Sequence, residues 1–237
     1  MSERTVPGKL ALPEFRPLAL FKRFNIEVLS TTDAAGDTLD HHKAIRDSGW
    51  DGRVIPTFRP DAVVNLRTPG WRKHLEALST VSGINVTTYD RFLDALAIQR
   101  RYFKSLGGTA TDHAAETAAT GRMPLEDARD IFADALIGDV SETDAHYFTA
   151  HMLMEMARMS VEDGLVMQFH VGAVRGHNDV IRTRFGADKG ADIPQTSEFT
   201  HNLRPLLASY GNDPALTLIL FTLDETTYAR ELAPLAG

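Results

Sequence analysis

The sequence contains no cysteine. Disulfide bridges, a thiolate nucleophile and a cysteine-ligated zinc site are therefore excluded, so any metal ion must be bound by histidine and carboxylate side chains. The sequence also lacks the run of about 18 apolar residues that a membrane-spanning helix needs, and it does not begin with an apolar signal segment. These absences predict a protein that is neither disulfide-bonded nor bound in a membrane, and its expected location is cytoplasmic.

The sequence also has fewer positively charged than negatively charged residues. The chain has 25 Lys and Arg residues against 32 Asp and Glu residues, a formal net charge of -7, and the basic residues are scattered. A surface that binds nucleic acid or anionic lipid needs a concentrated positive patch, so we expect neither nucleic acid nor a membrane as a partner. The 237 residues contain no internal repeat or linker that would divide them. We therefore predict a single domain over residues 1–237.

Five short apolar runs rich in β-branched residues predict β-strands. Their apolar residues are nearly continuous rather than alternating, which is typical of strands covered on both faces in a parallel sheet. The runs cover residues 26–32, 53–58, 108–113, 165–171 and 216–223. Helical patterns that end at glycine lie between them, at residues 38–49, 89–107, 124–138 and 141–164. This alternation of strands and helices predicts an α/β fold.

Polar residues follow these strands, and ligands of parallel α/β folds bind at the carboxyl ends of the strands. Arg59 ends the second run. Its permanent charge must meet a carboxylate or a phosphate to offset desolvation, so either a structural ion pair with a residue such as Asp61 or an anionic ligand is expected. Asp33 and Asp224 follow two other strands, and we interpret them as turn or helix-capping residues.

Two histidines also lie at strand ends. His113 closes the third run, and His170 lies in the fourth between two apolar neighbours. A lone histidine in such a place is usually a core residue, but two imidazoles that reach one point above the sheet, together with a carboxylate, could bind a metal ion. Four other histidines lack the spacing of a shared site, and we predict surface or packing roles for them: His41, His42, His146 and His151.

Together these motifs resemble the central part of the uronate isomerases, the glucuronate and galacturonate isomerases of the amidohydrolase superfamily. The matching segments are STTD at 30–33, DHHKAIRDSG at 40–49, VIPTFRPD at 54–61, TDHA at 111–114 and VMQFHVGAVRGHN at 166–178. Their order and spacing match over residues 15–237. The resemblance implies a (β/α)8 TIM barrel with helical insertions. It also implies the isomerisation of D-glucuronate to D-fructuronate, or of D-galacturonate to D-tagaturonate.

The resemblance also implies roles for individual residues. Arg59 would hold the carboxylate or neighbouring oxygens of the hexuronic acid, and Arg175 is a second candidate for substrate binding. His113 and His170 would be catalytic residues at the mouth of the barrel, in positions where such barrels place metal-binding or substrate-binding histidines. The implied cofactor is a divalent metal ion, with zinc as the expected ion.

The chain departs from the family pattern in its metal ligands. It contains no HxH pair, which the family carries on the first barrel strand, and the metal-binding Asp of the last strand is not found. Its five strands correspond to the third to seventh, whereas a closed barrel needs all eight. We therefore expect a partial barrel, an internal fragment with little activity alone. Its unpaired edges favour association into a homo-oligomer.

Two other functions remain open from the sequence. One is a metal-dependent hydrolase of the amidohydrolase type, which would need a metal-bound water and more protein ligands than these histidines supply. The other is a non-catalytic partial barrel that persists only with a partner or as an oligomer.

Overall fold

The computed structural model describes residues 8, 10–186 and 189–237, and its centre is a parallel β-sheet. Five strands form this sheet in the order β1-β2-β3-β4-β7, and every neighbouring pair is parallel. A short antiparallel pair is formed by β5 and β6. The strands are β1 (Val28–Ala34), β2 (Arg53–Arg59), β3 (Ala110–Ala115), β4 (Val166–Val171), β5 (Ala173–Val174), β6 (Ile193–Pro194) and β7 (Leu218–Thr222). All five predicted strands and the α/β fold are confirmed.

Helices connect the strands of the sheet. They are α1 (Pro17–Arg23), α2 (Asp40–Asp47), α3 (Asp61–Val64), α4 (Trp71–Ser82), α5 (Tyr89–Ser105), α6 (Leu125–Ile137), α7 (Glu142–Asp163), α8 (Asp179–Phe185), α9 (Arg204–Tyr210) and α10 (Ala233–Leu235). The four helices predicted from sequence are α2, α5, α6 and α7. Thr88 caps α5 and Ser141 caps α7, because each hydroxyl accepts a backbone N–H of the first turn.

The helices cover one face of the sheet. In β4, Met167, Phe169 and Val171 are buried in the core, whereas Gln168 and His170, which alternate with them, are partly exposed. Successive side chains of a strand point to opposite faces, so the odd-numbered positions of β4 pack under the helices. The core on this side is aromatic and includes Phe58, Phe92, Phe103, Phe132, Phe148 and Phe169, each fully buried.

The opposite face is more open. Ile219 and Phe221 of β7, which pair with Gln168 and His170, keep 43% and 40% of their surface exposed. Strands β1 and β7 form the two edges of the sheet within the described ranges. No helix in this part of the chain is both long and apolar enough to cross a membrane. The single domain over residues 1–237 stays a prediction.

Candidate functional site

The carboxyl ends of β2, β3 and β4 bring three polar side chains to the open face. Phe58 pairs with Thr111, which places Arg59 beside Asp112, and Ala114 pairs with His170. Because side chains alternate along a strand, Arg59, Asp112 and His170 share the face opposite to the helices.

Asp112 lies between the other two residues. Its Oδ1 atom is 2.8 Å from His170 Nε2, and its Oδ2 atom is 3.3 Å from Arg59 Nη1. The Asp112 side chain is 7% exposed, so two cationic or cation-forming groups offset the cost of burying its charge. Oδ1 has no aligned hydrogen bond to a described residue, so its approach to His170 Nε2 is a close contact that becomes an ion pair only when the imidazole is protonated. The His170 ring also stacks on Phe221, with centroids 4.3 Å apart and planes at 7°.

Arg59 makes a second ion pair, which was one of the two alternatives expected from the sequence. Its Nε atom donates to Asp61 Oδ2 at 2.7 Å, and the Asp61 carboxylate also accepts the Ala114 N–H at 3.1 Å. Burial raises the pKa of Asp61, while the hydrogen bond from Arg59 acts to lower it. Arg59 thus pairs with two carboxylates, and binding of an anionic ligand by Arg59 stays a prediction.

The structure does not bring His113 and His170 together. His113 pairs with Phe169 in the sheet, so its side chain points to the helix-covered face. It is 2% exposed, and its Nε2 atom lies 2.9 Å from Thr111 Oγ1. Burial, with a smaller contribution from the charge of Arg100, lowers the pKa of His113 to about 3. The imidazole of His113 is therefore neutral, and the expected meeting of both histidines at one point is not observed.

Asp112 is the site residue that sequence reasoning did not select. The signal was present in TDHA, because the residue before a buried histidine in a strand faces the opposite side. Which side carries the helices depends on tertiary packing. The sequence alone therefore did not decide between Asp112 and His113 as the neighbour of His170.

A cavity of about 480 Å3 lies at this end of the sheet. It is lined by His170, Arg175, Asn65, Glu116 and Phe221, among others. Arg175 follows β5, is about half exposed, and its Nε atom lies 3.1 Å from Asp192 Oδ1. The structure thus places the predicted residues His170 and Arg175 at one cavity. Arg59 lines a separate cavity of about 120 Å3. We call the larger one the strand-end cavity.

Another cavity, of about 570 Å3, lies between α6 and α7. Four Asp side chains line it, together with one arginine and one histidine: Asp127, Asp130, Asp134, Asp144, Arg122 and His146. Its carboxylates would repel an anionic substrate. The strand-end cavity has an arginine and a histidine against only two carboxylates, Glu116 and Asp192, and it is therefore the better candidate for an anionic ligand.

The described residues do not supply a complete metal site. Among them, no three His, Asp or Glu side chains are grouped so that they could hold a metal ion. A catalytic zinc ion usually takes three protein ligands. Asp112 and His170 provide two donors at one point, while His113 lies on the other face. The expected zinc ion does not fit these residues alone.

Comparisons with known proteins agree on one family. The family model described as glucuronate isomerase matches residues 4–237. A uronate isomerase of Nostoc punctiforme is 55% identical over 230 residues, which are 97% of this chain and 48% of that protein. A uronate isomerase of Rhizorhabdus wittichii is 53% identical over 233 residues, 98% of this chain and 50% of that protein.

Solved structures give the same result. The crystal structure of glucuronate isomerase from Caulobacter crescentus has a TM-score of 0.91 at 47% identity, covering 97% of this chain and 48% of that one. The uronate isomerase from Thermotoga maritima has a TM-score of 0.86 at 30% identity, covering 94% and 49%. These matches confirm the predicted partial barrel fold. The chain spans about half the length of the relatives it matches. By its match over residues 4–237, the chain belongs to the glucuronate isomerase family.

Proposed function

We propose that the chain carries part of the active site of an aldose–ketose isomerase that acts on a hexuronic acid. The substrates would be D-glucuronate or D-galacturonate, and the products D-fructuronate or D-tagaturonate. The observation that carries the proposal is the strand-end cavity of a glucuronate isomerase family member, which has an acid/base group and an arginine in one wall, His170 and Arg175.

The reaction needs one group that moves protons between neighbouring carbons. The C2–H bond breaks, a C1–H bond forms, and the hydroxyl proton on O2 is replaced by one on O1, so that the carbonyl moves from C1 to C2 through an enediol. Histidine is suited to this exchange because its unperturbed pKa is close to neutral. We assign the role to His170, whose ring is held between Asp112 and Phe221.

Substrate orientation requires a cation for the sugar acid. The planar guanidinium of arginine forms paired hydrogen bonds with a carboxylate. Arg175 lies in the wall of the strand-end cavity, and Arg59 lies at the neighbouring strand end. We propose that Arg175 binds the uronate carboxylate and that Arg59, which pairs with Asp61 and Asp112, holds the Asp112 carboxylate beside His170. His113, neutral and on the other face, supports the strand from within the core.

Binding of matched sugars to the purified chain tests this assignment. Isothermal titration calorimetry should detect D-glucuronate, and D-glucose, which lacks the carboxylate, should bind at least about tenfold more weakly. Arg175→Ala should remove this preference. Arg182→Ala is the matched control, because Arg182 is an exposed arginine paired with Asp179 on the nearby α8. Equal binding of the two sugars, or no binding of either, would contradict the proposed function.

Turnover is a separate expectation. Because the described residues do not form a metal site, we expect little conversion of D-glucuronate by this chain alone, with or without added zinc or manganese. Proton NMR of the sugar would follow formation of D-fructuronate. Rapid conversion that Arg175→Ala abolishes would show that the chain assembles a complete site, and the expectation of low activity would then be wrong.

A further inference from the structure

The geometry points to Asp112 as a positioning residue, which fixes the His170 imidazole and the Arg59 guanidinium in one arrangement at the strand ends. What this arrangement is used for rests on the proposed function. The arrangement itself can be tested without any substrate.

Asp112 is built into the sheet rather than exposed to ligand. It is 5% exposed as a residue, and its two carboxylate oxygens face different partners, His170 and Arg59. Among the described residues that line the strand-end cavity, His170 is present and Asp112 is not. Asp112 therefore acts through its neighbours and does not reach the substrate.

The His170 ring is restrained from two directions. Phe221 covers one ring face at a centroid distance of 4.3 Å, which limits rotation of the imidazole plane. Asp112 Oδ1 lies 2.8 Å from Nε2 without aligned hydrogen-bond geometry, so this buried oxygen acts on the ring through its negative charge. A carboxylate next to one ring nitrogen favours the tautomer that carries its proton there. Asp112 thus selects the Nε2–H form of neutral His170 and leaves Nδ1 to exchange a proton with a ligand.

Arg59 holds the second oxygen of the Asp112 carboxylate in place. Its Nη1 atom lies 3.3 Å from Asp112 Oδ2, and its Nε atom is held by Asp61 at 2.7 Å. The guanidinium is thereby fixed by two carboxylates and presents a charge-assisted contact to the second oxygen of Asp112. A charged residue of β2 is in this way coupled to the histidine of β4, two strands away.

The tautomer of His170 is the direct test. Long-range proton–nitrogen NMR of the chain labelled with 15N-histidine should show His170 in the Nε2–H form at neutral pH. In Asp112→Ala, this signal should move toward the average of both tautomers. In Asp112→Asn, the amide oxygen should accept from Arg59 and the amide N–H should face Nε2, so the signal should move toward the Nδ1–H form. His201, which is exposed and paired with Glu198, serves as an internal reference whose signal should not change.

A second Asp→Ala variant tests whether a change in the His170 tautomer comes from loss of Asp112 itself or from a general loss of stability. Asp163 also pairs with a buried arginine, Arg100, but it lies at the end of α7 on the helix-covered side. Asp163→Ala should lower the melting temperature and leave the His170 signal unchanged. The proposal is wrong if the His170 tautomer is the same in the parent chain and Asp112→Ala, or if Asp163→Ala shifts it equally.

Sugar binding connects this arrangement to the proposed function. Asp112→Ala should weaken D-glucuronate binding by about tenfold, and Asp112→Asn, which favours the other tautomer, should not recover the loss. If the parent chain binds no uronate, the proposed function fails while the tautomer experiment still decides the positioning role. If the parent chain binds uronate and the tautomer does not depend on Asp112, the positioning role fails and the proposed function stands.

Discussion

Burial of the His113 side chain keeps its imidazole neutral. The side chain is 2% exposed, and the pKa of its imidazole is lowered to about 3 from an ordinary value of 6.5. The unfolded chain takes up this proton near pH 6.5, whereas the folded chain resists it until about pH 3. The stability that His113 contributes is therefore complete above pH 6.5 and is lost as the pH falls from 6.5 toward 3. Its share of the loss at pH 5 is about 2 kcal/mol.

Urea unfolding at pH 7 and pH 5 measures this effect. The parent chain should lose free energy of unfolding between these values, and His113→Gln, which cannot take up the proton, should lose less even if it is less stable at pH 7. The His151 pKa is also lowered by burial, so part of the pH dependence remains in the variant. His201→Gln, at an exposed position, is the control. An unchanged pH dependence in His113→Gln would contradict the stated role of His113.

One buried arginine joins the two long helices α5 and α7. Arg100 of α5 is 1% exposed, and it donates from Nε to Asp163 Oδ2 at 2.6 Å and from Nη2 to Ser160 Oγ at 3.0 Å. Its guanidinium also lies 5.8 Å from the centre of the Phe58 ring. All its polar partners come from α7, so the pair sets how α5 and α7 pack over the sheet.

Removing this cation leaves a partly buried carboxylate without its partner. Arg100→Leu should destabilise the chain by about 3–5 kcal/mol, measured as the free energy of unfolding in urea. The control is Arg129→Leu, because Arg129 makes the same two-point contact with Asp90 at an exposed position. It should change stability little, since water screens such pairs. Equal losses in both variants would show that burial of Arg100 does not determine its contribution.

Local sequence patterns predict the strands of the central sheet but not the two-residue strands β5 and β6. The weak run GTATDH predicts β3, and the structure confirms it because its glycine-bounded residues pair with both neighbouring strands. The antiparallel pair of β5 and β6 has no comparable apolar run in the sequence. Its strands are two residues each, and contacts from distant residues, such as Ser197 N–H to Asp224, hold the following segment. Short elements of this kind depend on tertiary contacts that propensity does not encode.

For the candidate site, the sequence predicts which residues lie at strand ends, but not which side chains contact each other. The sequence indicates that Arg59, His113 and His170 lie at strand ends, and strand geometry confirms those positions. Which histidine faces the cavity depends on which side α5 and α7 cover. The pairing of Arg59 with both Asp61 and Asp112 also depends on the register between strands. Those two facts required the structure.

One face of the central sheet is not covered by helices and exposes apolar side chains of β7. Ile219 and Phe221 expose 43% and 40% of their surface on that face, and β7 is an edge strand within the described residues. Unpaired edges and exposed apolar side chains favour association between chains. We therefore expect the purified chain to form oligomers at micromolar concentration.

A charge on the open face should oppose this association. Ile219→Lys places an ammonium group beside Gln168, where a second chain would have to bury it, so the variant should remain smaller than the parent chain at equal concentration. Sedimentation velocity over a concentration series measures the difference. Ile137→Lys is the matched control, because Ile137 is 75% exposed at the end of α6, away from the open face, and its substitution should leave association unchanged. If Ile219→Lys associates as strongly as the parent chain, the contact uses another surface, and the exposed face of β7 is not what holds the oligomer together.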